Sequence, residues 1–491
     1  MRKEEDDLYL GLDIGTSGVK AVLVSEAGAI VAPAARELAL SHPAPLWSEQ
    51  DPDAWVDAAI GAVDDLASRH PREVARVRGI GLSGQMHGAT LLDAQDRVLR
   101  PAILWNDGRA MAECAEIERR LPTSRDIAGN IAMPGFTAPK LLWVANHEPE
   151  IFARVAKVLL PKDYLRLRLT GEHASEMSDA AGTLWLDVAK RDWSDNLLAA
   201  TGLNRGHMPA LFEGSAPTGR LLPDVAEACG LPRQAVVAGG AGDNAAGAVG
   251  IGAVRPGAGF LSLGTSGVLF VAGDRFAPNP ARAVHAFCHC LPGRWHQMAV
   301  MLSAASCLDW ATQALGFADV AALLAEAATA APDDRTLFLP YLSGERTPHN
   351  DPEATGAFLG LTHDTGRPAL ARAVLEGVAF GAADGLSALL DGDADIETVS
   401  VIGGGARSRF WGGILAAALD WPLDYHADGE VGPAFGAARL GRLAATGEDP
   451  DALCQRPPVL ETITPDPELA QRYHAKLKRF RAAYRGLSRG C

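Results

Sequence analysis

The chain has 491 residues, of which 48% are hydrophobic and 21% charged, and its formal net charge is −15. At roughly 100–200 residues per domain, this length indicates two large domains, and the composition is typical of a globular protein with sizeable buried cores. The negative charge argues against a nucleic-acid surface, which needs clustered lysine and arginine.

We find no targeting signal in the sequence. The charged start MRKEEDD leads straight into YLGLDIG without the apolar core of a signal peptide, and no run approaches the roughly 18 apolar residues of a membrane span. The seven cysteines are an odd number in a long chain, which fits a reducing compartment better than a disulfide framework. We therefore expect a cytoplasmic protein, with neither a membrane nor nucleic acid as partner.

The first predicted elements are two strands joined by the turn GTSGV. This peptide occurs in LDIGTSGVKAV, which begins at Leu12, and again in LSLGTSGVLFV, which begins at Leu261. Apolar and β-branched residues flank both copies, as in strands. One copy alone would be typical of an ordinary tight turn. The repeat instead indicates two similar halves, each with a turn whose glycines and hydroxyls can hold phosphate oxygens.

The two copies differ two residues before their first glycine, where the first has Asp13 and the second Ser262. A carboxylate repels a neighbouring phosphate unless a cation lies between them, so Asp13 predicts a Mg²⁺ site near a terminal phosphate. The structural alternative is an aspartate that hydrogen-bonds to its own turn.

Between the two copies the pattern becomes mostly helical. Residues 52–69 have helical apolar spacing, and helical patterns dominate from Asn106 to about Leu231. The stretch GIGLSG matches G-x-G-x-x-G, but a turn and a strand follow it rather than a helix, which argues against a dinucleotide site. No G-x-x-x-x-G-K-[ST] motif is present, so the chain is not a P-loop enzyme.

The stretch AGDNAAGAVG leads from a strand through a glycine turn into a helix of small residues. Asp243 and Asn244 precede that helix directly, where capping is the common structural role. The functional alternative is a carboxylate at the mouth of an interdomain cleft that accepts a hydroxyl proton. Because a helix N-terminus lowers a carboxylate pKa, we expect Asp243 to be ionised.

A Pro-Gly break predicts a domain boundary near Val254, which gives domains of residues 1–253 and 254–491. In the second domain a third glycine turn, Gly403–Gly405, follows the strand TVSVI, and the tail PELAQRYHAKLKRFRAAYRGL predicts an amphipathic packing helix. The cluster HAFCHCLPGRWH has C-x-C without a clear second pair, which favours a strand pair over a zinc site. Strands and helices mixed in both halves predict an α/β protein with a cleft between its domains.

Eight motifs occur in the order found in one enzyme family. They are DIGTSGVK, SGQMHG, WNDGR, GFTAPKLLWVANH, GDNAAGAVG, SLGTSG, YLSGERTPH and GGGARS. The sequence therefore resembles the FGGY carbohydrate kinases from Leu10 to about Leu443, and among them most closely those that act on D-xylulose. Ala369 departs from the family, which usually has a polar or acidic residue there.

The resemblance implies two actin-like (ribonuclease-H-like) domains that close on Mg·ATP and a sugar and convert D-xylulose to D-xylulose 5-phosphate. It makes Asp243 the catalytic base, places Asp13 near Mg²⁺ and the γ-phosphate, and gives Met86 and His87 contacts with the ketose. The remaining implied residues are Trp105, Asn106 and Asp107 at the sugar, and Gly15, Thr16, Ser17, Gly264, Thr265, Ser266, Gly403, Gly404 and Gly405 at the nucleotide. The resemblance also suggests a homodimer.

Other functions stay open at this point. L-ribulose, another pentulose or glycerol could be the acceptor, although QMHG favours xylulose over glycerol. An actin-like ATP-binding chaperone or a catalytically silent sensor could use the same two domains. The joint presence of Asp13, QMHG and Asp243 argues against a silent protein.

Overall fold

The computed structural model describes residues 7–426 and 432–488. The charged start MRKEEDD, to which we assign no role, lies outside them except for Asp7. The strands are β1 Leu8–Ile14, β2 Gly18–Ser25, β3 Ile30–Glu37, β4 Glu49–Gln50, β5 Val77–Gly84, β6 Thr90–Leu92, β7 Ala102–Ile103, β8 Lys157–Leu159, β9 Ala174–Glu176, β10 Leu186–Asp187, β11 Asp192–Trp193, β12 Ala210–Phe212, β13 Pro217–Arg220, β14 Val236–Ala238, β15 Ala241–Gly242, β16 Ala258–Leu263, β17 Gly267–Gly273, β18 His285–Cys288, β19 Trp295–Met301, β20 Leu337–Leu339, β21 Ala357–Leu359, β22 Thr398–Ile402, β23 Leu423–His426 and β24 Val459–Ile463. The α-helices are α1 Pro52–Arg69, α2 Pro71–Val74, α3 Met111–Arg120, α4 Ser124–Ala128, α5 Thr137–His147, α6 Pro149–Phe152, α7 Pro161–Thr170, α8 Met177–Ala181, α9 Asp195–Ala200, α10 Pro223–Ala228, α11 Asp243–Ile251, α12 Ser306–Ala314, α13 Val320–Thr329, α14 Arg367–Leu390, α15 Arg409–Leu419, α16 Pro433–Thr446, α17 Pro450–Leu453 and α18 Pro467–Ser488.

Two large sheets share one strand order. In the N-terminal sheet β3, β2, β1, β5 and β14 lie side by side, and in the C-terminal sheet β19, β17, β16, β22 and β23 take the same positions. In each sheet the first three strands of this order pair antiparallel to one another. The last two run parallel to the third, which is β1 in one sheet and β16 in the other. The repeated GTSGV peptide forms the β1–β2 turn in one half and the β16–β17 turn in the other. The prediction of an α/β fold with two similar halves is therefore confirmed.

Other predicted elements are also confirmed, although the middle of the chain is more mixed than its pattern indicates. The predicted helix over residues 52–69 is α1, the tail forms α18, and HAFCHCLPGRWH contributes to the antiparallel pair β18–β19. The stretch from Asn106 to about Leu231 contains α3–α10 but also the short strands β8–β13. Strands of two to four residues are too short for a period of two to show in the sequence.

The core of the C-terminal half is built around α14, whose residues 371–386 are all buried. This 24-residue helix is long and apolar enough to cross a membrane by length and composition, with a mean hydropathy of 1.5, so the expectation that no run approaches a membrane span is wrong by this measure. Within the protein, however, 89% of its most apolar window is buried. Burial on all sides is typical of a core helix of this composition.

Helix α16 comes late in the sequence but packs on β1 and β5 of the N-terminal sheet. Glycines allow the close approach: a Cβ on Gly81 would lie 1.7 Å from the carbonyl oxygen of Ala437, and one on Gly11 would lie 1.9 Å from that of Ala434. A helix from the C-terminal half of the sequence therefore packs on the sheet of the N-terminal half.

The domain boundary near Val254 stays a prediction.

Candidate active site

The register of the N-terminal sheet brings the predicted catalytic residues to one edge. Asp13, near the end of β1, lies opposite Ser83 of β5 in a parallel pair. Strand β15 pairs with the same end of β5, with Gly242 opposite Gly84. Since Met86 and His87 follow β5 and Asp243 follows β15, the carboxyl ends of three strands place these side chains around one point, where ligands bind in open α/β sheets.

Asp13 is almost fully buried, with 8% of its surface exposed. The hydroxyl of Ser83 donates to its Oδ1 over 2.9 Å. Burial raises the pKa of Asp13, although this hydrogen bond and the charge of Lys20 on the neighbouring strand lower it. No ion pair neutralises Asp13 among residues 7–426 and 432–488, so its carboxylate is suited to a ligand cation.

Asp243 is the first residue of α11, after the N-cap residue Gly242. Its Oδ1 accepts from the backbone N–H of Asn244 over 2.7 Å and from the Asn244 side-chain amide over 2.9 Å. Burial, and then the nearby charge of Asp13, raise the pKa of Asp243 to about 7. The expectation that the helix N-terminus lowers the pKa of Asp243 is therefore wrong, because desolvation and a like charge outweigh the two hydrogen bonds.

His87 is held as a neutral ring. Its Nδ1 lies 2.6 Å from the carbonyl oxygen of Gly182, and since a carbonyl only accepts, Nδ1 carries the hydrogen and Nε2 is left as an acceptor. Burial, with a contribution from Lys140, lowers the pKa of His87 to about 3. Lys140 also donates to the His87 carbonyl over 2.9 Å. This hydrogen bond holds the backbone of His87, whose φ of 70° lies in the left-handed region.

Met86 is buried between two glycines that lie close to catalytic candidates. A Cβ on Gly242 would lie 2.9 Å from Met86 Cγ, and one on Gly182 would lie 2.7 Å from its Cε. Met86 therefore fixes the spacing between the segment that carries Asp243 and the carbonyl that orients His87.

The first GTSGV turn contacts part of the predicted sugar site. The Thr16 hydroxyl donates to Gln85 over 3.1 Å and accepts from the Trp105 indole over 2.9 Å. Gln50, which the sequence analysis missed, donates to the Thr16 carbonyl over 2.7 Å and accepts from Gln85 over 2.9 Å. Ser17 at the tip is exposed. These contacts fix the turn and leave its tip free for a ligand.

The predicted residues after Trp105 have different environments. Trp105 is 38% exposed, and Asn106 is exposed beside it. Asp107, in contrast, is buried and accepts from the Ser48 backbone over 2.6 Å and from the Arg109 guanidinium over 2.7 Å. Trp105 and Asn106 can therefore face a sugar, whereas Asp107 holds the loop.

The second GTSGV turn is anchored through its backbone. The carbonyl of Thr265 accepts from the Ala304 N–H over 2.9 Å and from the Ser306 hydroxyl over 2.7 Å, and the Gly264 N–H donates to Ser266 over 3.1 Å. The side chain of Thr265 is exposed. Like the first turn, this one is rigid at its base and open at its tip.

The third glycine turn borders a cavity of about 550 Å³ in the C-terminal half. The cavity wall includes Gly403, Gly404 and Ser262, the counterpart of Asp13, together with Arg409 and Tyr425. Gly403 has a φ of 85°, which favours glycine. Gly405 does not line the cavity; it packs against Leu263 and Trp411.

The zinc interpretation of HAFCHCLPGRWH finds no support in the part of the chain that the structure describes. No group of three or more histidine, cysteine or acidic residues there is arranged to hold a metal ion. His289 and His296 are buried and their rings lie 5.9 Å apart, while burial raises the pKa of Cys288 to about 12. These groups are neutral core residues.

Comparison with known proteins connects this geometry to one family. Residues 8–250 match the N-terminal domain of the FGGY family of carbohydrate kinases, and residues 259–445 match its C-terminal domain. The chain belongs to the FGGY family of carbohydrate kinases. The resemblance seen in the motifs, and the enzyme class that it implies, are thereby confirmed.

Relatives within the FGGY family match nearly the whole chain. The xylulose kinase of Escherichia coli (strain K12) is 56% identical over 98% of this chain and 99% of its own. The structure of a xyloylose kinase from Brucella ovis is 54% identical with a TM-score of 0.95, and that of xylulose kinase from Rhodospirillum rubrum is 32% identical with a TM-score of 0.91; each match covers 98% of this chain and 99% of the other. The two-domain fold is that of the family.

The family motif YLSGERTPH contributes a residue that the sequence analysis quoted but gave no role. Arg346 lies beside β19, because the Thr347 N–H donates to the Val300 carbonyl over 3.0 Å and the Glu345 carboxylate accepts from the Leu302 N–H over 3.0 Å. The charge of Arg346 adds to the effect of burial in lowering the pKa values of His87 and His285. A residue of the C-terminal half thus lies near the histidine that the resemblance assigns to the sugar.

Proposed function

We propose that this FGGY kinase transfers the γ-phosphoryl group of ATP to the C5 hydroxyl of D-xylulose and releases D-xylulose 5-phosphate and ADP. The observation that carries the proposal is the meeting of Asp13, His87 and Asp243 at one sheet edge, in a chain 56% identical to proteins named xylulose kinase.

Asp243 is the base in this proposal. Its carboxylate takes the proton of the sugar hydroxyl as that oxygen attacks the γ-phosphorus, and the bond from phosphorus to the β-phosphate oxygen breaks. A pKa of about 7 makes Asp243 a stronger base than an ordinary aspartate, while leaving a large part of it ionised at neutral pH. A positioned base contributes typically 10²–10⁴-fold to the rate.

His87 and Met86 bind the ketose, with Trp105 and Asn106 at the border of the sugar site. Because His87 is neutral and its Nδ1–H is already donated to Gly182, its Nε2 accepts from a sugar hydroxyl. A sugar with the wrong configuration would leave this buried nitrogen unpaired, which is a strong basis for rejecting it.

The nucleotide lies between the two halves. The tips of the two GTSGV turns, at Gly15–Ser17 and Gly264–Ser266, hold its phosphates through backbone N–H groups and hydroxyls. The adenosine occupies the cavity beside Gly403 and Gly404.

The residues around Asp13 fit a magnesium ion. Mg²⁺ prefers carboxylate and phosphate oxygens, and Asp13 is a buried carboxylate without an ion-pair partner in the described ranges. When bound, Mg²⁺ would neutralise charge on the triphosphate. Asp13 would hold it, and Ser83 orients the Asp13 carboxylate through the hydrogen bond to Oδ1.

We also propose that the protein is cytoplasmic. The six cysteines in the described part of the chain are free and buried, which fits a reducing cytoplasm. The family resemblance suggests a homodimer, and light scattering of the purified protein tests that assembly.

A coupled assay of ADP release tests the substrate. The panel contains D-xylulose, L-ribulose, other pentuloses and glycerol, each compared by kcat/KM. D-xylulose is expected to be among the best substrates. A clear preference for another ketose or polyol would overturn the substrate assignment, and no sugar-dependent ADP release at all would favour a non-catalytic ATP-binding protein.

A further inference from the structure

Five charged side chains are buried together behind the candidate active site. They belong to α7, β9 and α8, and each side chain is 0% exposed. The five are Lys162, Asp163, Arg166, Glu176 and Asp179. Buried ions are costly unless each has partners, so a cluster of this size calls for an explanation beyond stability.

Within the cluster the Lys162 ammonium lies beside two carboxylates, and burial raises the pKa of one of them, Asp179, well above its ordinary value. Lys162 Nζ lies 2.6 Å from Asp163 Oδ1 and 3.1 Å from Asp179 Oδ2. Glu176 caps the N-terminus of α8, because its carboxylate accepts from the backbone N–H of Ser178 over 2.7 Å and from that of Asp179 over 2.8 Å. The pairing makes α7 and α8 one rigid unit.

This unit holds the chain before Asp243 from two directions. The Arg166 guanidinium donates to the carbonyls of Ala238 and Gly239, each over 2.6 Å. The Ser178 hydroxyl donates to Glu176 over 2.8 Å and accepts from the Gly242 N–H over 3.1 Å. The short segment 238–242, which leads directly to Asp243, is therefore held at both ends by residues of α7 and α8.

The same unit also orients the candidate sugar-binding histidine. Gly182, directly after α8, accepts from His87 Nδ1 over 2.6 Å. A side chain on Gly182 would collide with Met86 and His87, since its Cβ would lie 2.8 Å from the His87 ring. One short helix thus contacts both the base segment and the sugar-binding segment.

We infer that Ser178 is a positioning residue for phosphoryl transfer: its hydroxyl, oriented by Glu176, holds the Gly242 N–H and so sets Asp243 at a fixed distance from His87. The inference rests on the proposed function, in which Asp243 is the base and His87 binds the sugar. It assigns a role to the stretch SEMSD, which the sequence analysis did not use.

Removal of the Ser178 hydroxyl should affect turnover more than binding. Without this acceptor the Gly242 N–H is buried and unpaired, and the Asp243 segment shifts to find another partner. A shift of the order of 1 Å in a catalytic group costs about 10²-fold in rate. For Ser178→Ala we expect kcat with D-xylulose to fall about tenfold to a hundredfold, with KM for ATP within about twofold because the nucleotide residues are untouched.

Ser175 provides a matched control in the same cluster. Its hydroxyl donates to Asp163 over 2.6 Å and the residue is 1% exposed, but it makes no described hydrogen bond to the Asp243 segment. Ser175→Ala should lower the melting temperature about as much as Ser178→Ala and leave kcat within about twofold of the wild type. Ser178→Cys, whose sulfur is a poor acceptor, replaces the alanine variant if that variant does not fold.

Steady-state kinetics and thermal unfolding of both variants decide the question. A fall of kcat in Ser178→Ala that Ser175→Ala does not show supports the positioning role. Equal effects on kcat in the two variants, or none in Ser178→Ala, would overturn it. Asp243→Asn is measured in parallel: if it keeps its turnover, the base role of Asp243 in the proposed function fails, and the positioning role fails with it, whereas an inactive Asp243→Asn beside an unaffected Ser178→Ala refutes the positioning role alone.

Discussion

At the scale of single residues, the site places two carboxylates where their charged forms are unfavourable. Burial and the nearby Asp13 raise the pKa of Asp243 to about 7, and burial raises that of Asp13. A group that is less acidic in the folded state than in the unfolded chain destabilises the fold once pH exceeds its unfolded value. The site therefore has a cost in stability that its function explains.

The first prediction follows from this cost. An unfolded aspartate has a pKa of about 3.9, so the penalty from Asp243 develops as pH rises from about 4 to about 7 and is complete above that. Asp243→Asn, which keeps an oxygen to accept from Asn244, should be more stable than the wild type at pH 8, by the order of 2–4 kcal/mol. Denaturant unfolding at pH 8 and pH 4.5 measures it.

The gain should shrink to about 1 kcal/mol at pH 4.5, because Asp243 is then protonated in the folded wild type and the unfolded chain is only slightly above its own pKa. Asp274→Asn, a change at an exposed carboxylate, serves as the control and should show no such pH dependence. An Asp243→Asn variant less stable than the wild type at pH 8 would contradict the raised pKa.

The second prediction concerns the rate. A base acts only when unprotonated, so kcat/KM for D-xylulose at saturating ATP should fall as pH drops below about 7, by about tenfold per pH unit once Asp243 is mostly protonated. A pH profile of kcat/KM checks this. A rate that is constant between pH 5 and pH 8 would mean that no group with this pKa takes the proton.

The sequence located Asp13, His87 and Asp243 because each lies in a short motif. It did not reveal Gln50, whose bonds reach Thr16 and Gln85 across distant parts of the chain. It also gave the wrong direction for the Asp243 pKa, because a helix start is visible in a sequence whereas burial beside a second carboxylate depends on tertiary packing.

At the scale of elements, the closest packing is that of α16 on the N-terminal sheet. Gly11 and Gly81 admit its backbone where any Cβ would overlap a carbonyl oxygen. The GTSGV hairpins could be predicted, since apolar flanks and a glycine turn are local signals. The position of α16 could not, because nothing local in PAFGAARLGRLAAT shows which sheet it covers.

The third prediction tests this contact with one kind of change at two sites. In Gly81→Ala the new Cβ would lie 1.7 Å from the Ala437 oxygen, so α16 must move, and stability should fall by about 1–3 kcal/mol or more. In Gly413→Ala, on α15, no atom lies within 4 Å of the new Cβ, and stability should rise by about 0.5–1 kcal/mol.

Thermal unfolding of both glycine variants gives the comparison. If Gly81→Ala were as stable as the wild type, the close approach of α16 to β5 would not exist in solution.

At the scale of the whole molecule, the duplicated sheets explain why the same peptide occurs twice. Each GTSGV turn joins the first two strands of its sheet, and His87 of one half faces Phe287 of the other, with ring centres 6.4 Å apart. A sugar bound at His87 would therefore touch both halves. Water competes with the sugar for the phosphoryl group, so we expect the halves to close only around both ligands.

The fourth prediction is a change in shape. The radius of gyration from small-angle X-ray scattering should decrease when D-xylulose and a non-hydrolysable ATP analogue are added together, and by less with either ligand alone. An unchanged radius with both ligands bound would contradict closure.

The most direct test of the whole account is the turnover of Asp243→Asn with D-xylulose and ATP at pH 8, where the wild-type base is ionised. The account predicts that kcat falls by at least about 10²-fold, while ATP binds to the folded variant as tightly as to the wild type. A folded Asp243→Asn that keeps more than about a tenth of the wild-type kcat would contradict it, because a contribution of that size is too small for a general base.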